Sequence, residues 1–175
     1  MLNKLGIPAE SLLALDRDQQ LLMAASSRCP GITTICHDLT DYPYPKVLGK
    51  ANLVTAHQVF QYLTTGQLHN CLAELFHILP TEGFLVIGVP HPIRVAMQSS
   101  QSYFSQKAHD IPAPWGGHTR SWTLSVSGYV NLIISVGFKI LMMKEPEITR
   151  AGAGKPGASA YSTGPTRLMI LAQVP

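Results

Sequence analysis

The sequence predicts an α/β fold with a doubly wound, mostly parallel sheet that ends in a C-terminal antiparallel pair of strands. Two observations carry this prediction. Short apolar runs without alternation, which are typical of buried parallel strands, are separated by stretches with helical spacing. The last two apolar runs are joined by a segment without a helical pattern, so we expect these two strands to pair antiparallel.

The first half of the chain contains three predicted strands and two predicted helices. Each strand is a short apolar or β-branched run, and each helix carries apolar residues at helical spacing before a proline or glycine ends it. We place the strands at residues 11–15, 32–36 and 52–56, and the helices at 19–28 and 67–79.

The second half continues the pattern after one irregular segment. Predicted strands lie at residues 84–89, 139–143 and 167–174, with a helix at 125–136. Residues 94–120 mix polar residues, prolines and aromatic residues without a clear period, so we interpret them as a lid or insertion. We expect a single domain over residues 1–175.

Composition excludes several classes of protein. Hydrophobic residues make up 46% of the chain and charged residues 13%, which favours a compact core over disorder. The basic residues are scattered, so no nucleic-acid surface is indicated, and no apolar run is long enough to span a membrane. The three cysteines lack the spacing of a metal site or a disulfide frame. We therefore expect a cytoplasmic protein with reduced thiols and no bound metal.

Two aspartates follow successive predicted strands. Asp16 comes after the first strand and Asp38 after the second. The carboxyl ends of parallel strands meet at one edge of a sheet, where ligands of such folds bind. A plainer alternative is that each aspartate caps the helix or turn that follows it.

The order of these elements resembles that of class I, Rossmann-like S-adenosylmethionine-dependent methyltransferases of the small-molecule type. The resemblance covers nearly the whole chain and rests on five segments taken together. They are LLALDRDQQLLMAA (12–25), Asp38 with NLVTAHQVFQYL (52–63), LAELFHILPTEGFLVIGVPHP (72–92), GFKILMMKEP (137–146) and TRLMILAQVP (166–175).

The resemblance implies S-adenosyl-L-methionine as the cofactor and assigns roles to residues that follow the strands. Asp16, with Arg17 beside it, corresponds to the acid that accepts from the ribose hydroxyls. Asp38 corresponds to the acid at the adenine amino group, and Leu39 to a side chain covering the adenine face. The residues near the methionine end of the cofactor are His57, Gln58 and Val59.

The resemblance also implies a small-molecule methyl acceptor. Candidate bases for an acceptor that must lose a proton are His91 and His118. Candidate walls of the acceptor pocket are Tyr103, Trp115 and Trp122. Alternatively, the histidines are ordinary polar residues and the aromatic residues form core beneath a loop.

One hallmark of the resembled family is missing from this sequence. The family has a first strand and an acidic, glycine-rich turn before the ribose acid, whereas residues 1–15 hold Gly6 as their only glycine. We therefore expect a truncated or degenerate member. Either its two inner strands close on each other, or a homodimer partner or another chain supplies a strand, or backbone groups stay unpaired. A non-catalytic, methyltransferase-like structural or partner-binding domain is the alternative function. A nicotinamide-dependent oxidoreductase is disfavoured, because it also needs such a turn and lacks the closing antiparallel pair.

Overall fold

The computed structural model describes residues 6–105, 107–112, 117–147 and 164–175. The contacts divide the chain into two compact units, residues 1–44 and 45–175, and each is described by itself. In this described part of the chain, no helix is both long and apolar enough to cross a membrane.

The first unit is a strand–helix–strand arrangement of β1 (Leu13–Asp16), α1 (Gln19–Arg28) and β2 (Thr33–Cys36). The two strands are parallel, with Asp16 opposite Cys36 at their carboxyl ends. Helix α1 begins after Asp18, whose carboxylate accepts hydrogen bonds from backbone N–H groups two and three residues further on. All three elements confirm the sequence prediction to within two residues.

The second unit contains six strands and three helices among its described residues. In chain order they are β3 (Leu53–His57), α2 (Thr65–Ile78), β4 (Phe84–Pro90), α3 (Pro92–Ser99), β5 (Ala108–Pro112), β6 (His118–Trp122), α4 (Val126–Val136), β7 (Lys139–Lys144) and β8 (Arg167–Gln173).

Four of these strands form one sheet in the order β3–β4–β8–β7. Strands β3 and β4 are parallel, whereas β8 runs antiparallel to both β4 and β7. The predicted antiparallel pairing of the last two strands is therefore confirmed. The core of this sheet lies along β4 and β8, where buried side chains alternate with partly exposed ones: Leu85, Ile87, Val89, Leu168, Ile170 and Ala172.

The helices begin and end at recognisable caps. Thr64 and Gln67 form a capping box before α2, and Ser125 caps α4. Helix α4 ends at Gly137 with φ 116°, a backbone conformation that L side chains rarely adopt. The rings of Phe76 and Phe138 meet edge to face with centroids 5.1 Å apart. This contact joins α2 to the segment that leads into β7.

The segment interpreted as irregular contains regular structure. Helix α3 begins at Pro92, and β5 and β6 form an antiparallel hairpin. The sequence did not predict α3 because the helix is short. It did not predict the hairpin because the two strands have few apolar residues. Whether the segment acts as a lid remains a prediction.

Candidate functional site

The carboxylates predicted to share one sheet edge do so in the first unit. Asp16 is the last residue of β1, and Asp38 follows the last residue of β2 by two positions. The guanidinium of Arg17 reaches the Asp38 carboxylate at an Nη1–Oδ2 distance of 3.4 Å. Arg17 is largely exposed, so this ion pair itself adds little stability. The contact shows that polar side chains following β1 and β2 lie close together.

Asp38 is held by its own turn as well as by Arg17. Its Oδ1 accepts hydrogen bonds from the backbone N–H and the hydroxyl of Thr40, both at 2.8 Å. The two hydrogen bonds from Thr40 outweigh the opposing effect of burial, and the hydrogen bond and charge of Arg17 add a smaller contribution, so the pKa of Asp38 is held below its ordinary value of 3.8. The carboxylate is therefore ionised at neutral pH.

Asp16 keeps one oxygen available. Its Oδ1 accepts from the backbone N–H of Asp18 at 2.9 Å. In the described part of the chain no donor contacts its Oδ2, and the residue is half-buried. Leu39 is also half-buried, and its carbonyl oxygen accepts a 2.8 Å hydrogen bond from the Tyr44 hydroxyl. The edge thus carries two carboxylates beside an apolar side chain.

The residues after β3 form a strained turn in the second unit. Gln58 has φ 60°, a left-handed conformation that is uncommon for a residue with a side chain. Its backbone N–H donates to the carbonyl oxygen of Gly88 at 2.7 Å. Its side-chain Nε2 is buried without a hydrogen-bond partner among the described residues. His57 is exposed at the end of β3, and Val59 is half-buried.

His91 lies buried at the junction of β4 and α3, with only 4% of its surface exposed. Its Nδ1 accepts a hydrogen bond from the backbone N–H of Ile93 at 3.2 Å, so the side chain caps α3. Its Nε2 lies 2.7 Å from Oε1 of Glu145, just after β7. Both ring nitrogens are therefore engaged, and Glu145 is a partner that the sequence did not indicate.

The other acceptor-site predictions lie in or near the β5–β6 hairpin. His118 is exposed and Trp122 half-buried, and strand alternation places both on the same face of β6. The hydroxyl of Tyr103 accepts a 2.9 Å hydrogen bond from the backbone N–H of Val126, at the start of α4. Trp115 lies outside the described residues.

The opposite face of the hairpin carries buried polar residues that sequence reasoning missed. His109 and Ser121 are directly opposite each other, and the buried Thr123 follows just after β6. Each has a buried side-chain atom without a hydrogen-bond partner among the described residues, as does Gln61 in the 3₁₀ turn Phe60–Tyr62. The period-two pattern of Thr119, Ser121 and Thr123 was the signal that could have revealed this face.

Among the described residues, no group of three or more histidine, cysteine, aspartate or glutamate side chains is arranged to hold a metal ion.

Solved structures resemble this chain throughout most of its length. A Listeria monocytogenes protein described as an S-adenosylmethionine-dependent methyltransferase matches with a TM-score of 0.76 and 18% identity, over 93% of this chain and 79% of that one. An S-adenosylmethionine-dependent methyltransferase from Mesorhizobium loti matches with a TM-score of 0.69 and 19% identity, over 92% and 79% of the two chains. The glycopeptide N-methyltransferase MtfA, in complex with S-adenosyl-L-homocysteine, matches with a TM-score of 0.67 and 14% identity, over 99% and 76%.

Sequence comparison alone does not reach this result. No protein-family model matches the sequence, and neither does any curated protein sequence. At identities below 20%, the structural likeness establishes the architecture and not the activity. The chain has the Rossmann-like fold of S-adenosylmethionine-dependent methyltransferases.

Proposed function

We propose that this chain is an S-adenosylmethionine-dependent methyltransferase that acts on a small molecule. The observation that carries the proposal is the pair of carboxylates, Asp16 and Asp38, at the carboxyl edge of two adjacent parallel strands. Folds of this kind bind nucleoside cofactors at that edge. The fold shared with methyltransferases of known structure supports the same reading.

In the first unit, considered by itself, the residues at the strand ends suit an adenosine group. The unpartnered Oδ2 of Asp16 can accept hydrogen bonds from ribose hydroxyls. Asp38 stays ionised and suits the adenine amino group, while the half-buried Leu39 offers an apolar face. Thr40 keeps the Asp38 carboxylate in place through its two 2.8 Å hydrogen bonds.

In the second unit, considered by itself, Gln58 carries a group suited to an anionic part of a ligand. A buried amide N–H₂ without a partner is unfavourable unless a ligand accepts from it. Gln58 presents such a group, and a cofactor carboxylate would satisfy it. We assign His57 and Val59 to the same region because they flank the strained Gln58. The residues of each unit, taken by itself, therefore have the chemistry that the proposed cofactor needs.

Bound S-adenosylmethionine supplies an activated methyl group, so the protein's task is to align the acceptor and exclude water. His91 and His118 remain the bases proposed from the sequence, and Tyr103, Trp115 and Trp122 the proposed walls. The geometry favours a positioning task for His91, because its two ring nitrogens already have partners. Tyr103 likewise has its hydroxyl engaged at the start of α4.

Calorimetric titration with S-adenosylhomocysteine tests the proposal. We expect the wild-type protein to bind, and Asp16→Ala to weaken binding by about 10- to 100-fold, since a hydrogen bond to a charged group contributes that much. The control is Asp41→Ala, which removes an exposed carboxylate from the same unit and should leave affinity unchanged. A folded wild-type sample that gives no binding heat at high ligand concentration rejects the proposal.

A non-catalytic methyltransferase-like domain is the second candidate function. In the described part of the chain, β1 and β3 each pair with another strand on one side only. Open strand edges can accept a strand from another chain. Light scattering coupled to size exclusion separates the candidates. A stable dimer that binds no S-adenosylhomocysteine favours the second, whereas a cofactor-binding protein favours the first.

A further inference from the structure

A cluster of buried polar side chains in the second unit has no hydrogen-bonding explanation within the described chain. It consists of His109 on β5, Ser121 on β6, Thr123 just after β6, and Gln61 in the preceding 3₁₀ turn. We call this set the hairpin polar cluster. The atoms without a partner are His109 Nδ1, Ser121 Oγ, Thr123 Oγ1 and Gln61 Oε1.

The topology brings these residues together. His109 and Ser121 are opposite each other in the antiparallel register, which places their Cβ atoms about 4.5–5.5 Å apart. Thr123 lies two residues beyond Ser121, just after the end of β6, and is likewise buried. Strand β6 packs against the 3₁₀ turn that carries Gln61. The side chains are nearly inaccessible, with exposures of 4% for His109, 0% for Ser121, 8% for Thr123 and 4% for Gln61.

Such a concentration of unpartnered groups is unusual in a folded protein. Buried polar atoms nearly always have a partner, and each exception calls for a specific reason. A partner of this cluster must donate a hydrogen bond, because the Gln61 atom is a carbonyl oxygen. It must also suit two hydroxyls and an imidazole nitrogen, which can each donate or accept. A hydroxyl group meets both requirements.

Charge narrows the class of ligand further. The cluster contains no carboxylate, ammonium or guanidinium. The charged pair of this hairpin, Asp110 and Arg120, lies on the opposite face, where both residues are exposed. A buried cation or anion without a counter-charge is strongly disfavoured. Apolar side chains border the cluster, with Ile111 on the same face and Phe60 beside Gln61. A small neutral molecule with an apolar body fits this setting.

We propose that the hairpin polar cluster is the binding site for the methyl acceptor, and that the acceptor is a small neutral molecule carrying a hydroxyl on an apolar body. This inference rests on the proposed methyltransferase function and names the substrate class for it. Of the four side chains in the cluster, only that of His109 carries an imidazole, the group that can serve as a base toward the acceptor. This site is an alternative to the acceptor pocket proposed from the sequence, because His118 and Trp122 lie on the other face of the hairpin.

The first test uses stability, and needs no knowledge of the substrate. Thr123→Val keeps the side-chain shape and removes an unpartnered hydroxyl, and Ser121→Ala removes another. If these groups exist to bind a ligand, each substitution should leave Tm unchanged or raise it by about 2–4 °C in the ligand-free protein. If structural water or the fold itself satisfies them, both substitutions should lower Tm, and the proposal is overturned.

The second test uses phenol as a neutral hydroxyl probe, titrated by NMR in the presence of S-adenosylhomocysteine. We expect phenol to bind the wild-type protein, and Ser121→Ala, Thr123→Val and His109→Phe each to weaken binding by about fivefold or more. Thr33→Val is the matched control, since it changes an exposed strand threonine in the first unit and should leave phenol affinity unchanged. Benzylamine, which is cationic at neutral pH, should not bind at this site.

The outcomes separate this inference from the proposed function. If S-adenosylhomocysteine binds but phenol affinity is insensitive to the cluster substitutions, or benzylamine binds equally well, the acceptor-site proposal fails while the enzyme proposal stands. If phenol binding depends on the cluster but S-adenosylhomocysteine does not bind at all, a hydroxyl-binding site remains and methyl transfer is rejected. Absence of phenol binding by the wild-type protein also overturns the acceptor site.

Discussion

The imidazole of His91 contacts the Glu145 carboxylate with one ring nitrogen and the start of α3 with the other. Its Nε2 lies 2.7 Å from the Glu145 carboxylate, and its Nδ1 accepts from the backbone N–H of Ile93. Since Nδ1 accepts, the proton of the neutral ring is on Nε2 and is donated to Glu145. The side chain thereby joins the end of β4, the first turn of α3 and the residue after β7. Acting as a base would require His91 to give up its cap on α3.

A double-mutant cycle measures this link. We expect His91→Ala to destabilise the protein by about 2–3 kcal/mol, because it removes a helix cap and leaves a cavity. The coupling between His91→Ala and Glu145→Ala should be about 0.5–1.5 kcal/mol, since Glu145 is half-exposed. Urea unfolding supplies the values. Glu147→Ala, an exposed glutamate two residues away, should show no coupling with His91→Ala; equal coupling for both glutamates would contradict the assignment.

Gly88 is constrained by the side chains around it. A Cβ at this position would come too close to the ring of His57 and within 2.9 Å of the Met169 sulfur. We expect Gly88→Ala to lower the free energy of unfolding by about 1–3 kcal/mol through overpacking. Adding His57→Ala to the Gly88→Ala protein should restore part of the lost stability, because it removes the ring that the new Cβ contacts.

Gly66→Ala is the matched control for Gly88→Ala. A Cβ there meets no atom within 4 Å, and the residue lies in α2. This change should therefore stabilise the protein by about 0.4–1 kcal/mol. If Gly88→Ala were also neutral or stabilising in urea unfolding, the close packing against His57 would be wrong.

The lowered pKa of Asp38 predicts a pH dependence of stability. A carboxyl group whose pKa is lower when folded contributes stability above its unfolded pKa of 3.8, and loses it as pH falls through the lower folded value. We expect the stability difference between the wild type and Asp38→Asn to be constant above about pH 5 and to shrink below pH 4. Unfolding measured from pH 3 to 6 checks this, and Asp41→Asn should show a smaller change. A difference that grows on acidification would contradict the sign.

The capping box before α2 predicts a further loss of stability. The Thr64 hydroxyl accepts from the backbone N–H of Gln67 at 3.2 Å, and the Gln67 side chain accepts from the backbone N–H of Thr64 at 2.9 Å. Thr64→Ala should cost about 1 kcal/mol, and Thr64→Ser should retain most of the stability. Thermal unfolding by circular dichroism provides the comparison. Thr81→Ala, at an exposed position between α2 and β4, should have no measurable effect.

The candidate site was only partly visible in the sequence. Asp16 and Asp38 were identified because each follows an apolar strand, and the fold of such strands fixes where their ends point. His109, Ser121 and Glu145 were missed. His109 and Ser121 stand out by their burial, and Glu145 by its contact with His91, which lies 54 residues away in the sequence. No local pattern encodes such a contact.

The sequence by itself determined the order and type of most strands and helices, the edge shared by the two aspartates, and the antiparallel pairing of the final strands. Apolar runs, caps and turn residues act over a few neighbouring positions, so they can be read directly from the chain. Only the tertiary structure decided which face of the β5–β6 hairpin is buried, which carboxylate the His91 ring contacts, and which buried polar atoms lack a hydrogen-bond partner. Those features depend on packing between distant segments, where water is excluded and every hydrogen bond must be found within the fold or from a ligand.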